Sequence, residues 1–79
     1  MADGVSLTLR PKANVKPLDS ETAERIGRVA RADTVQADAG AAVFGFAQGD
    51  AATVRGNLEM AARFELGAHW QTRYDVVAR

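Results

Sequence analysis
In Val5-Ser6-Leu7-Thr8-Leu9-Arg10, apolar and polar residues alternate without a break. A period of two belongs to a half-buried strand, and it predicts Val5, Leu7 and Leu9 facing a core. Pro11 closes this strand because it has no N–H to give a ladder, and Lys12 to Pro17 reads as a polar connection. The spacing then becomes helical: Ala23, Ile26, Val29 and Ala30 make a narrow apolar stripe. Asp19 or Ser20 is a suitable N-cap, Leu18 can act as a staple, and Glu21 and Glu24 sit near the positive end of the dipole. Glu21 with Arg25 and Glu24 with Arg28 are i,i+4 pairs in the favourable order, each worth about 0.2–0.5 kcal/mol. Asp33 falls where the stripe would continue, so the helix is expected to stop between Arg31 and Asp33.

Residues 34–48 admit two interpretations. In one, Thr34 to Ala37 and Ala42 to Gln48 are strands joined by a turn over Asp38-Ala39-Gly40-Ala41, with Gly40 free to take positive φ. In the other, the alanines extend one helix from Ser20 to Ala39. The hairpin is preferred, since the long helix would place Asp33 on its own apolar stripe. Asp50 then caps a second helix, on which Ala51, Val54, Leu58, Ala61, Ala62, Phe64 and Ala68 project onto one broad arc. Glu59 and Arg63 form a further i,i+4 pair, Glu65 falls inside the arc and needs a partner, and Gly67 is expected to end the helix in a left-handed conformation. Last, Trp70, Thr72, Tyr74 and Val76 alternate with Gln71, Arg73 and Asp75, which predicts a strand.

The order strand, helix, strand, strand, helix, strand is the split βαβ, ferredoxin-like arrangement of the α+β class. It gives a four-stranded antiparallel sheet with both helices on one face. A chain of 79 residues has room for one such domain.

Composition narrows the function classes. Ten basic residues balance ten acidic ones, which removes the broad positive field of most nucleic-acid binders. The absence of cysteine excludes disulfides, thiol catalysis and thiolate zinc sites. No apolar run is long enough for a membrane span, and Met1-Ala2-Asp3-Gly4 does not open a secretory signal, so a cytoplasmic location is expected. Catalytic constellations are thin. His69 is the lone histidine, Ser6 and Ser20 are the only serines, and nothing in the spacing brings either serine to it. Asp33, Asp38 and Asp50 lack EF-hand spacing, while Gly45, Gly49 and Gly56 are too scattered for a phosphate loop. Neither a metal nor a cofactor is expected, and the chain reads as a non-enzyme.

Two of the three phenylalanines lie together in Ala42-Val43-Phe44-Gly45-Phe46. The segment resembles the third-strand signature of the RNA-recognition motif, a family with the same element order. That resemblance implies that Phe44 and Phe46 leave the open sheet face and stack on bases. Ala42 and Val43 replace the basic residue and first glycine of the signature, and the first strand brings no aromatic residue. The favoured alternative is that both rings are core, where each contributes about 1.5–3 kcal/mol.

The leading functional expectation is a small protein–protein interaction module, with a homodimer through the sheet as one form. Its partner would be a larger protein or complex, and neither nucleic acid nor membrane is expected. Candidate partner contacts are Phe44, Phe46, Trp70 and Tyr74, joined by Arg25 and Arg28, although interleaved acids make the arginines look like a solvated helix face. By analogy of size and architecture alone, such a protein acts as an inhibitor or adaptor of a larger bacterial machine, as anti-CRISPR proteins do. The alternatives are a weak RNA- or single-stranded-DNA-binding domain and a small-ligand regulatory domain.

Overall fold
The computed structural model describes residues 4–38 and 40–78. Strand β1 (Val5–Pro11) is followed by helix α1 (Ser20–Ala30), strands β2 (Thr34–Asp38) and β3 (Ala41–Phe46), helix α2 (Ala51–Leu66) and strand β4 (Tyr74–Ala78). The strands form one antiparallel sheet in the order β2-β3-β1-β4, the ferredoxin-like arrangement. The hairpin is thus formed and the single long helix is not. Gly40 has φ +88°, as a tight turn there needs, while Ala39 of that turn and Met1 to Asp3 lie outside the described residues.

Register sets the facing of every side chain. Leu7 pairs with Phe44 and Leu9 with Ala42 on one side of β1, and Leu9 pairs with Val76 on the other. These residues point toward the helices, where Ala23, Ile26 and Ala30 of α1 meet Val54, Leu58, Ala61 and Ala62 of α2. Phe44, Leu9, Ile26 and Leu58 are the largest fully buried side chains. Gly27 is what lets α1 sit down on β2, because a Cβ there would overlap the Val35 side chain.

Both helices begin with the same device. Asp19 accepts from the Thr22 hydroxyl (2.7 Å) and backbone N–H (3.4 Å). Asp50 accepts from the Thr53 N–H (2.9 Å) and hydroxyl (3.0 Å). The Thr22 hydroxyl chiefly, and for Asp50 the Thr53 N–H chiefly, hold both carboxyls below their ordinary value of 3.8. A carboxyl lowered in the folded state adds stability above its unfolded value and loses it as pH falls through the folded one. The thermal midpoint is therefore expected to drop as pH is taken below about 4. Asp50→Asn, which cannot titrate, should flatten that drop in a pH series followed by circular dichroism.

The C-terminal third departs from the sequence expectation. Trp70–Thr72 is a short 3₁₀ turn, and β4 starts only at Tyr74. The His69 carbonyl accepts from the Thr72 N–H (3.1 Å) and hydroxyl (2.7 Å), a local alternative to the strand ladder. Lys12 Nζ donates to the Gln71 carbonyl at 2.9 Å and holds the turn from the far end of β1. Gly67 does end α2 at positive φ (98°), but with ψ 170° rather than the left-handed helical value. Arg73 donates to the Leu66 carbonyl at 2.9 Å, so a side chain completes that helix end.

Candidate protein-interaction surface
The four aromatic residues singled out from the sequence are all core. Phe44 is 0% exposed, Phe46 4%, Trp70 4% and Tyr74 8%. None can meet a partner or stack on a base. Phe44 and Phe46 point toward the helices because their phase of β3 matches Leu7 and Leu9, the apolar phase of β1. The Tyr74 hydroxyl donates to the Lys16 carbonyl at 3.3 Å. The open sheet face carries Thr8, Gln36, Val43, Gly45 and Val77 instead, with no ring among them. Gly45 is small because a Cβ would collide with the Thr34 hydroxyl on the neighbouring strand, which is a packing reason rather than a ligand one. The base-stacking geometry implied by the RNA-recognition resemblance is therefore not present.

The arginines fare differently. Arg25 donates to Glu65 at 3.1 Å and lies 3.6 Å from Glu21, so it ties α1 to α2 and supplies the partner Glu65 needed. Arg28 is exposed and shares a shallow groove with Arg25, Val29 and Glu65. The expected Glu24–Arg28 and Glu59–Arg63 pairs are absent among the described residues. Glu59 instead faces Arg55 at 3.3 Å, because Arg55 is already fixed by donating to the Val76 carbonyl of β4 at 3.2 Å.

The surface that the sequence reading missed lies on the outer side of the helix pair. Phe64 is 76% exposed, Met60 71% and Val29 49%. The predicted arc of α2 was too wide: Val54, Leu58, Ala61 and Ala62 are buried, while Ala51, Phe64 and Ala68 are exposed. At 3.6 residues per turn Phe64 stands about 60° beyond Ala61, outside what the sheet and α1 can cover. Met60 and Phe64 are i,i+4 neighbours on that outward side. Val29 rises from the flank of α1 that carries Arg25 to α2. Spacing carries a partial signal, since the i,i+4 Met60–Phe64 pair lies off the centre of an alanine-lined stripe, but where the covered arc ends is set by the position of α1.

His69 is exposed in the turn before Trp70, and its described hydrogen bonds all use its carbonyl oxygen. Ser6 stands opposite Gly45 on β1 and Ser20 opens α1, so neither is linked to it. Among the described residues no three His, Asp or Glu side chains gather as a metal site would require, and no helix is long and apolar enough to cross a membrane. No protein-family model, no curated protein and no solved structure matches this chain.

Proposed function
We propose that this protein is a non-enzymatic interaction module that docks on a larger protein through the outer face of its α1–α2 pair, acting as an inhibitor or adaptor. The supporting observation is the exposure of Phe64 and its i,i+4 neighbour Met60 on α2, with Val29 exposed on α1, in a chain with only three phenylalanines. An exposed aromatic flanked by a flexible thioether is a typical anchor, and the ring buries about 150–250 Å² when covered. The charges around the patch indicate the kind of surface it meets. Arg28 and Arg63 have no ion-pair partner among the described residues, so an apolar segment bearing carboxylates is the complementary surface.

The test is a paired comparison. Phe64→Ser with Met60→Ser should leave the unfolding free energy from urea titration within about 1 kcal/mol of the parent, about 0.5 for each exposed substitution. The same variant should fail to retain the host protein that the parent chain retains on a column. A variant that still holds that protein would end the proposal.

A further inference from the structure
The two edges of the sheet are treated differently. At β4 the Arg55 guanidinium sits on the Val76 carbonyl, a side chain covering the backbone of an edge strand. At β2 no described side chain bonds the strand backbone, and Thr34-Val35-Gln36-Ala37-Asp38 contains neither proline nor lysine. Natural edges are usually blunted by such residues. This one is open.

The helix above that edge is open in a matching way. α1 rests on β2 through Gly27 and Val35, and a groove lined by Glu24, Gly27, Arg28, Ala32 and Val35 runs along the same side. Glu24 and Arg28 are one helical turn apart on α1, and neither is in an ion pair among the described residues. Opposite charges spaced by one turn are self-complementary under a two-fold axis: antiparallel helices bring each acid to the other copy's base. The strand is self-complementary too. Antiparallel pairing about Gln36 sets Val35 of each copy against Ala37 of the other, with no like charges opposed along 35–37.

We propose that the β2 edge pairs with the β2 edge of a second copy of this chain. The result is one continuous eight-stranded antiparallel sheet, with α1 beside α1 and two reciprocal Glu24–Arg28 contacts. This dimer uses neither Phe64 nor Met60 but shares Arg28 with the docking surface above. Glu24→Arg leaves Arg28, Phe64 and Met60 in place, and so separates the failure of one from the failure of the other.

Sedimentation velocity on the full chain tests it with two charge reversals, Glu24→Arg and Arg28→Glu. The parent should sediment as a dimer of the 8.4 kDa chain. Each variant alone places like charges across the two-fold axis and should weaken the dimer at least tenfold. An equimolar mixture of the two restores both contacts and should return a dimer containing one of each, identified by native mass spectrometry. Circular dichroism of each variant should match the parent, as both sites are exposed helix positions. A parent that stays monomeric at millimolar concentration would overturn the proposal. So would a dimer that neither reversal weakens, or a mixture with no preference for the mixed pair.

Discussion

Phe44→Ala is expected to lower stability by about 3–5 kcal/mol, the range for removing a fully buried aromatic ring. At roughly 0.05–0.15 kcal/mol per residue, a domain of this length has only about 4–12 kcal/mol in total. The variant should therefore be largely unfolded at modest urea concentrations, if it folds at all. The ring lies between Leu7 across the β1–β3 ladder and the helix layer, where it packs beneath Gly27 of α1. Collapse around the deletion is opposed from both sides, since the sheet below and α1 above are each fixed by other contacts. Val43→Ser, one residue away on the open face, is the control and should change stability little. Urea unfolding followed by circular dichroism reads both. Equal effects at 43 and 44 would mean that the facing of β3 is wrong.

Trp70→Ala belongs in the same range, about 3–5 kcal/mol, for a different reason. Trp70 is placed by a turn rather than by a strand, and at 4% exposure it fills the core between the end of α2 and the start of β4. As the sole tryptophan it also reports on itself. Its emission should be blue-shifted and protected from iodide in the native state, and both properties should vanish together with the far-ultraviolet signal on unfolding. Trp70→Phe should keep most of the stability, because the pocket needs apolar volume first. A wild-type indole freely quenched by iodide would contradict the turn.

Where local chemistry decides the structure, the sequence was readable. The alternation in Val5 to Leu9 has one apolar phase, and an aspartate three residues before a threonine caps each helix without distant help. The β2–β3 turn was legible for the same reason, since Gly40 supplies a conformation few residues adopt. The facing of Phe44 and Phe46 was harder. Alternation allows two phases, and the choice between them comes from the partner strand, in the pairing of Leu7 with Phe44. Trp70 to Thr72 shows a strand-like alternation, yet what bends the segment includes a lysine at position 12, far away in sequence. The candidate site was legible only in part. Arg25 and Arg28 do lie beside the exposed groove. Phe64 falls inside the apolar arc of α2 in the sequence yet outside the arc that is covered, because the width of the covered arc depends on where α1 lies.

The placement of β1 at the centre of the sheet also bears on how the chain is made. Its neighbour β3 lies mid-chain, but its other neighbour is β4, and the ladder joins Leu7 to Ala78. During synthesis the β2–β3 hairpin and α1 can meet early, while one whole side of β1 waits until β4 has been made. Contacts so distant in sequence cost closure entropy before they return any stability, and they slow folding. β4 is thus the latch of the domain, and a nascent chain halted before Tyr74 leaves the N–H and C=O groups along one edge of its own first strand unpaired.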